Sequence, residues 1–431
     1  MIRRTAIIIT CLLVCGSVAF SADRNPPPEF ESGHQLPAIS QPAPRAEILE
    51  YIDLAVLVLA LAAGSYLALR MRSRRGLLIL MILSIGYFGF YRQGCICPIG
   101  AIQNVALTVF ENDYAIPLTA GVFFLLPLAF AILSGRTFCA SVCPLGGLQD
   151  LVSLHPVKVP AYLQHALGML PFVYLALAVL FAATGSAFII CQYDPFVGFF
   201  RLGGHLEMIL LGGVILIIGL FIARPYCRFV CPYGALLGLL SRLSWRHVTI
   251  TPTQCVQCRL CENACPFGAI NPPRPPLSPR RRSEDRWLLA VLLVLAPVLS
   301  AGGAWGGRAL APAMAKMHPT TRLAQQVYLE DSGKIDWTTN ASTAFRDSGI
   351  STQDLYAQAD IVAGRFSLGC TIVGGVLGLL LGCKLISLTI RRSSADYTID
   401  RGRCLSCGRC MRYCPLEQDR LKKLHGEAPG L

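Results

Sequence analysis

The chain has 431 residues, of which 54% are hydrophobic and 15% charged, and its mean hydropathy is +0.53. This composition excludes a water-soluble protein of this length. The net charge of +13 does not indicate nucleic-acid binding, because the basic residues cluster between apolar spans, as in membrane proteins. The 19 cysteines do not indicate a disulfide scaffold, since most fall in CxxC or CxxxC groups followed by Pro, which favours metal ligation.

The N-terminus predicts a secretory signal peptide over residues 1–22. Arg3 and Arg4 precede an apolar run, and Ala19-Phe20-Ser21 forms a small-x-small cleavage site. Whether this peptide is cleaved stays open. Residues 23–50 are rich in Pro and poor in apolar side chains over most of their length, so they predict an extended periplasmic tether.

Seven apolar stretches are long enough to cross a hydrocarbon core of about 30 Å. They lie at residues 51–70, 76–92, 115–134, 162–185, 206–223, 287–306 and 366–388. The predicted fold is an all-α membrane protein, a helical bundle of seven transmembrane helices, with a small α+β two-cluster ferredoxin domain that a helical hairpin splits. The predicted domains are a five-helix membrane core at 51–246, a first ferredoxin half at 247–286, the hairpin with a periplasmic loop at 287–388 and a second ferredoxin half at 389–431.

The basic residues predict the orientation in a bacterial inner membrane. Arg70, Arg72, Arg74 and Arg75 follow the first span, and later basic clusters fall on the same side when the spans alternate. That side is predicted to be cytoplasmic, and it carries both ferredoxin halves. The loop at about 307–365 falls outside, where acidic residues offset its basic ones.

Four cysteines fall at the predicted outer face. They are Cys95 and Cys97 in a CxCP motif, Cys191 after the fourth span and Cys370 just inside the seventh. One interpretation is a metal or cluster site built from the four thiolates. The other is disulfide formation outside the cytoplasm, with Cys191 and Cys370 as buried thiols. The sequence leaves both open.

Two CxxxCP motifs lie at the predicted cytoplasmic ends of spans. Cys139 and Cys143 form the first, and Cys227 and Cys231 form the second. A spacing of four places both thiols of a pair on one face of a helix, so two pairs on neighbouring helices predict a four-thiolate cluster site at the membrane surface. The alternative, disulfides at helix ends, is disfavoured in the cytoplasm.

The spacing CxxCxxCxxxCP occurs twice and is typical of bacterial two-cluster ferredoxins. In such runs the fourth Cys ligates the other cluster, which predicts two crossed ligand sets. Zinc is the alternative, but zinc ligand pairs are usually separated by longer spacers. The first cluster takes Cys255, Cys258, Cys261 and Cys414, and the second takes Cys404, Cys407, Cys410 and Cys265.

Other redox cofactors find little support in the sequence. His165 and His205 fall at opposite ends of neighbouring spans, which does not suit a bis-His haem, and no CxxCH occurs. A Gly-rich dinucleotide fingerprint is also absent from the sequence. No residue is assigned a catalytic role, and a stand-alone hydrolase or transferase is not expected.

The two CxxxCP motifs followed by the double ferredoxin run resemble the NosR, NapH and CcoG group of membrane polyferredoxins. The likeness covers roughly residues 76–270 and the terminal ferredoxin half. It implies a four-helix core that presents the two motifs, and electron transfer between the quinone pool or cytoplasmic donors and periplasmic acceptors. The chain departs from NosR in having only about 28 residues between the signal and the first span, so a periplasmic flavin domain is not expected.

The leading functional hypothesis is a membrane electron conduit between the cytoplasm or the quinone pool and a periplasmic flavoprotein or cytochrome. Its expected cofactors are two [4Fe-4S] clusters, with a further iron–sulfur or metal centre and a quinone as additional candidates. Quinol dehydrogenase is the enzymatic form of this hypothesis. The alternatives are a CcoG-like assembly factor that reduces a metal for a respiratory oxidase, and a membrane anchor whose clusters are structural.

Overall fold

A computed structural model describes most of the chain. It covers residues 46–94, 98–111, 114–154, 156–201, 203, 206–250, 255–273, 279–390, 394 and 396–424. The predicted signal peptide, nearly all of the predicted tether, His205, Cys95 and Cys97 lie outside these residues.

Apolar helices and short connecting helices make up the first half of the fold. The last seven residues of the second helix, Ile85–Tyr91, are π-helical, and another π-helical turn covers Phe138–Val142. The helices are α1 (Glu47–Leu69), α2 (Arg74–Tyr91), α3 (Pro98–Phe110), α4 (Leu118–Ser134), α5 (Pro144–Val152), α6 (Ala161–Leu167), α7 (Leu170–Ala183), α8 (Ile189–Gln192), α9 (Val197–Arg201), α10 (Leu206–Phe221), α11 (Pro225–Phe229) and α12 (Pro232–Leu240).

The second half contains the ferredoxin region and a long helical insertion. Its elements are α13 (Leu260–Ala264), β1 (Ile270–Asn271), α14 (Pro279–Ala315), α15 (Pro319–Asp331), α16 (Asn340–Asp347), α17 (Thr352–Thr389), β2 (Thr398–Ile399), α18 (Arg409–Tyr413) and α19 (Pro415–Leu424). β1 pairs antiparallel with β2, with Ile270 opposite Ile399, so the two ferredoxin halves join across the insertion.

Five stretches of the described chain are long and apolar enough to cross a membrane, and they match five of the seven predicted spans. The other two predicted spans form α4 and α10, apolar helices of 17 and 16 residues. α3 was not predicted, because its 13 residues are too few to cross a bilayer. It packs between α4 and α7. The predicted fold class, a helical membrane protein with a ferredoxin region, is confirmed.

The insertion is more helical than the sequence suggests. The expected outer loop at 307–365 is filled by the ends of α14 and α17 together with α15 and α16. α14 and α17 pack tightly because small residues face each other: a Cβ on Gly303 would overlap the Gly374 carbonyl oxygen. Close backbone approach at glycines is a common way for helices to pair in lipid.

Candidate iron–sulfur sites and their connections

The two ferredoxin loops share one backbone conformation. Gln257 and Arg259 in the first loop have φ of 50° and 60°, and Ser406 and Gly408, at the equivalent positions of the second, have φ of 53° and 71°. Left-handed residues at such positions turn successive backbone N–H groups inward, which forms anion-binding concavities of the kind found at Fe–S sites. The repeated geometry therefore suits two equivalent clusters.

The first predicted ligand set lines a single small cavity. Cys255, Cys258, Cys261 and Cys414 all contribute to its wall, together with Tyr397. Burial raises the pKa of the Cys261 thiol, and the nearby thiols of Cys414, Cys255 and Cys258 raise it further. The structure thus brings the fourth Cys of the second run to the first three of the first run.

The second predicted set is also brought together. Burial raises the pKa of Cys410, and so do the neighbouring thiols of Cys407, Cys404 and Cys265. Burial likewise raises the pKa of Cys404 to about 12. Thiols this close and this buried resist ionisation unless cations compensate the charge, which the iron ions of a cluster do. The donor sets therefore fit [4Fe-4S] clusters, and the individual ligand assignments stay predictions.

The CxxxCP motifs owe their shape to the Pro that ends each of them. Cys143 and Cys231 stand at the N-caps of α5 and α12, and the following Pro144 and Pro232 occupy the first helical turn. Pro is favoured there because its missing N–H would have no helical partner. Each second Cys therefore lies at the positive end of a helix dipole, which stabilises a thiolate. The Cys231 Sγ atom accepts a hydrogen bond from Gly234 N at 3.3 Å.

The two motifs meet inside the helical bundle. Cys139, Cys143, Cys227 and Cys231 are all buried. Burial raises the pKa of Cys143 well above its ordinary value, and so do the thiols of Cys227, Cys139 and Cys231. Burial also raises the pKa of Cys227 to about 12, against the lowering effect of Arg224. All four predicted thiols are therefore neighbours.

The four-thiol site packs against the membrane helices, and its predicted place at the membrane surface stays a prediction. A Cβ on Gly147, four residues after Cys143, would lie 2.8 Å from Met81 Cγ and 2.9 Å from Ile85 Cδ1. Both contacts are near the middle of α2. The π-helical turn Phe138–Val142 contacts α1 and α2, and α5 also contacts α2, so the first motif lies against these helices.

The two motifs also share an Arg three residues before the first Cys and a Gly three residues after the second. Arg136 and Arg224 are both buried, and Arg224 Nη1 donates to the Cys139 carbonyl of the other motif. Arg136 Nη2 lies 4.0 Å from Cys139 Sγ. These arginines place positive charge beside the thiols. The sequence analysis missed them, although the repeated R-x-x-C-x-x-x-C-P-x-G pattern is visible in the chain.

Asp150 joins the four-thiol site to the ferredoxin region. It lies at the centre of three arginines: it pairs with Arg74, with Arg224 Nε at 3.4 Å and with Arg409 Nη2 at 3.1 Å. Burial opposes ionisation of Asp150, but the charges of Arg224, Arg74 and Arg409 outweigh it and hold the pKa of the carboxyl well below its usual range. Arg74 Nη1 also donates to the Cys407 carbonyl at 3.2 Å.

A polar cavity of about 360 Å³ opens on the opposite face of the fold, which we call the far face. Its wall includes Asp53, Arg92, Cys191, Asp194 and Arg201. Arg92 pairs with Asp53 at 2.9 Å. Burial raises the pKa of Asp194 to about 6, although its carboxylate accepts a hydrogen bond from Phe196 N at 2.9 Å.

A second, small cavity is lined both by residues of the four-thiol site and by residues of the far face. Cys143 and Phe138 line it from one motif, and Gly94, Pro98 and Asp194 line it from the far face. Gly94 and Asp194 also line the larger cavity. The two cavities therefore lie next to each other, and Cys143 lines the smaller one.

The proposed outer-face set has mixed support. Cys191 is exposed, and its Sγ atom would lie 3.3 Å from a Cβ on Gly100, while Gln103 Oε1 accepts a hydrogen bond from Cys191 N at 3.4 Å. Cys370 is buried among apolar side chains that include Leu180 and Phe366, which gives it a packing role. Cys95 and Cys97 lie outside the described residues, so the shared site stays a prediction.

No group of three or more His, Cys, Asp or Glu side chains in the described part of the chain converges closely enough to hold one metal ion. A cubane cluster instead spreads its thiolates over separate iron corners. The motif spacing predicts that the two ferredoxin sets and the four-thiol site ligate multi-iron clusters.

Comparison with known families identifies two iron–sulfur regions. Residues 116–161 and 205–251, which carry the CxxxCP motifs, match a family described as a 4Fe-4S binding domain. Residues 248–271, which carry the first ferredoxin run, match a second family with the same description. No solved structure matches the chain significantly.

Several proteins are similar to parts of this chain. Protein NirI of Paracoccus denitrificans is 30% identical over 47% of the chain and 31% of its own length. Regulatory protein NosR of Stutzerimonas stutzeri is 27% identical over 47% of the chain and 30% of its own length. Ferredoxin-type protein NapH of Escherichia coli is 28% identical over 39% of the chain and 59% of its own length.

The match thus spans about a third of NirI and NosR and just over half of NapH. The resemblance to membrane polyferredoxins of the NosR and NapH type is confirmed. The chain is similar to this iron–sulfur group over part of its length, with regions that match 4Fe-4S binding domains and helices able to span a bilayer.

Proposed function

We propose that the protein conducts single electrons across a bacterial inner membrane, between a cytoplasmic ferredoxin region and a partner at the periplasmic far face. The observation that carries this proposal is the continuous series of thiol sets. The ferredoxin sets contact the four-thiol site through Arg74 and Asp150, and Cys143 lines a small cavity that shares Gly94 and Asp194 with the far-face cavity.

The series of thiol sets also bears on the distance that electrons must cover to cross the membrane. Clusters confined to one face would leave most of a hydrocarbon core of about 30 Å uncrossed. Cys139, Cys143, Cys227 and Cys231 lie deep in the bundle, so a third cluster held there would shorten the gap from the ferredoxin region to the far face. A bound [4Fe-4S] cluster accepts and donates one electron at a time. The match of both CxxxCP regions to a 4Fe-4S binding domain supports a cluster at this position.

The residues around the four thiols suit charge transfer in a dry site. Arg136 and Arg224 bring permanent positive charge to a buried anionic centre, and this favours its reduced state. Gln149 Nε2 lies 3.5 Å from Cys227 Sγ and can donate a hydrogen bond to the thiolate. Hydrogen bonds to ligand sulfurs raise the reduction potential of such centres.

The far-face cavity is the proposed exchange site for the periplasmic partner or for a quinone. Its volume of about 360 Å³ is at the lower end of the range for small-molecule sites. Asp194, with a pKa of about 6, can take up or release a proton near neutral pH. Quinone chemistry couples electrons to protons, so a carboxyl of this kind is suited to it.

The test uses the full chain in sealed proteoliposomes with ferricyanide trapped inside. A reduced sulfonate viologen that does not cross the bilayer is added outside, and ferricyanide bleaching is followed. We expect bleaching with the wild-type protein and loss of most of it with Cys143→Ser. Iron should fall by about four per chain from about 12, while the ferredoxin signals in electron paramagnetic resonance persist.

The matched control is Cys383→Ser, which changes an exposed cysteine of α17 that belongs neither to the ferredoxin sets nor to the four-thiol site. It should leave the iron content and the bleaching rate unchanged. Equal bleaching by Cys143→Ser and the wild type would contradict the proposed route through the four-thiol site. Eight iron atoms in the wild type would contradict a third cluster.

A further inference from the structure

A second large cavity lies on the ferredoxin side, between the membrane helices and the ferredoxin region. It has a volume of about 340 Å³ and is lined by residues of α6, α7, α12 and α17 and by the segment around Gly402. Its charge is strongly one-sided. Arg136, Arg228, Arg242, Lys384 and Arg403 line it, whereas Asp400 is the only carboxylate among its described lining residues.

The carboxylate of Asp400 already has an ion-pair partner. Arg403 Nε donates to Asp400 Oδ2 at 2.8 Å, which neutralises this one pair. Arg228 donates to the carbonyls of Pro266 and Phe267, and Arg136 donates to the carbonyl of Gly402 at 3.1 Å. Bonds to carbonyls orient a guanidinium group but leave its charge uncompensated.

Two of these cationic side chains lie next to cysteines of the four-thiol site. Arg136 lies 4.0 Å from Cys139 Sγ, and Arg228 follows Cys227, which lines the inner wall of the cavity. Arg242 and Lys384 differ from the other cationic residues of the cavity in having no partner for their side chains in the described part of the chain. Within the described residues neither of them has a carboxylate partner or a side-chain hydrogen bond, and each lies in range of the other's charge. Like charges gathered beside a low-dielectric bundle repel, so an anion between them would be stabilising.

Two further features point to a phosphate ligand with apolar tails. Arg136 is only 8% exposed, and its Nε lacks a hydrogen-bond partner among the described residues. The cavity wall also includes Leu239 and Leu388, which are 38% and 45% exposed and lie near the C-terminal ends of α12 and α17. Basic pockets between transmembrane helices on the cytoplasmic side are typical sites for acidic lipid head groups.

We propose that this cavity binds the phosphate head group of an anionic phospholipid, with Arg242 and Lys384 as its principal contacts and the acyl chains lying along Leu239 and Leu388. The chemistry of recognition is that of a phosphate group. The lipid, rather than free phosphate, is the proposed source because the polar wall continues into an exposed apolar one. The inference does not depend on how the protein transfers electrons.

The experiment measures phospholipid retention and thermal unfolding of the full chain in nanodiscs. One arm uses phosphatidylglycerol, a second uses phosphatidylcholine, and a third adds inorganic phosphate to the phosphatidylcholine discs. We expect the wild type to retain phosphatidylglycerol preferentially in native mass spectrometry and to unfold at a higher temperature with it. The double variant Arg242→Gln/Lys384→Gln should weaken this retention about fivefold per charge, or about 25-fold in total.

The control variant Arg75→Gln/Arg246→Gln removes the same charge from exposed positions outside the cavity. It should keep the lipid preference. An equal loss of preference in this control, or an unchanged preference in Arg242→Gln/Lys384→Gln, would overturn the proposed site. Stabilisation by inorganic phosphate as large as that by phosphatidylglycerol would overturn the lipid assignment.

Discussion

Arg74, at the start of α2, donates a hydrogen bond to the backbone carbonyl of Cys407 at 3.2 Å. The two residues are 333 positions apart in the chain. The other arm of the same guanidinium group pairs with Asp150, so one buried side chain contacts both the membrane bundle and a loop of the ferredoxin region. The position of that loop over the bundle therefore depends on a small number of buried charges.

Replacing Asp150 by Asn should destabilise the protein strongly. The change leaves Arg74, Arg224 and Arg409 without their shared counter-charge, and two of these arginines are at most 9% exposed. Breaking a buried ion pair typically costs about 3–5 kcal/mol. Because the pKa of Asp150 is depressed, its stabilising effect is present above its ordinary pKa and lost as the pH falls through the lowered value. Thermal unfolding in detergent measures the loss.

Asp331→Asn provides the comparison for that experiment. Asp331 pairs with Arg346 at 2.8 Å, but both side chains are more than 40% exposed. Solvent screens such pairs, so little change is expected. If Asp150→Asn were as mild as Asp331→Asn, the central role of Asp150 would be contradicted.

Substituting Cys414 by Ser should disturb the cluster of Cys255, Cys258 and Cys261, because Cys414 lines the same cavity as these residues. The matched variant Cys265→Ser should instead disturb the cluster of the Cys404 run. Electron paramagnetic resonance distinguishes the two clusters once each variant has been compared with the wild type. Loss of the Cys404 cluster signal in Cys414→Ser would show that the ligand sets are not crossed.

Asp194→Asn should stabilise the protein at neutral pH. Burial raises the pKa of Asp194 from 3.8 to about 6, so the folded protein binds a proton there that the unfolded chain has released. The resulting cost is absent below the unfolded pKa and complete above the folded one. A shift of this size corresponds to about 3 kcal/mol, and the Asn amide oxygen can still accept the hydrogen bond from Phe196 N.

The check is the melting temperature of both proteins between pH 4 and pH 8. The curves should nearly coincide at pH 4, diverge as the pH rises from about 4 to about 6, and stay a constant distance apart above that, with Asp194→Asn more stable. A constant offset at every pH would mean that ionisation of Asp194 is not the cause.

Gly303→Ala should weaken the packing of α14 against α17. The added Cβ would overlap the Gly374 carbonyl oxygen. Because this contact is with the backbone, no flexible side chain can move away to relieve it. Overpacking of this kind usually costs about 1–3 kcal/mol. Gly306→Ala, three residues along the same helix, meets open space and should be neutral or slightly stabilising. Thermal unfolding measures both effects. The melting temperature of Gly303→Ala should fall below that of the wild type, and that of Gly306→Ala should equal it or lie slightly above it.

A reporter fused after Leu431 should report a cytoplasmic C-terminus, because the basic residues concentrate on the ferredoxin side. Green fluorescent protein at this position should be fluorescent, and alkaline phosphatase should be inactive. The reverse pattern would overturn the predicted orientation and the direction of the proposed electron route.

The local chemistry of the chain was predictable from its sequence. Ligand spacing in CxxCxxCxxxCP and the Pro after each CxxxC are local properties, and a loop or a helix N-terminus forms over the same few residues that the motif names. The match of residues 248–271 to a 4Fe-4S binding domain agrees with that reading. Spans are equally local, since a run of apolar residues must become a helix in lipid.

Tertiary packing determined which distant side chains meet and how deeply they are buried. Asp150 and Arg224 are 74 positions apart, and nothing in the sequence between them shows that their side chains meet. The burial of Cys143 and the cavity that it lines together with Asp194 also depend on how the helices pack. Burial sets the pKa of Asp194 and concentrates charge beside Lys384, and burial is a property of the packed bundle. A short motif specifies which atoms can bind, whereas only the long-range packing of helices determines which of those atoms lie together and how far they are from water.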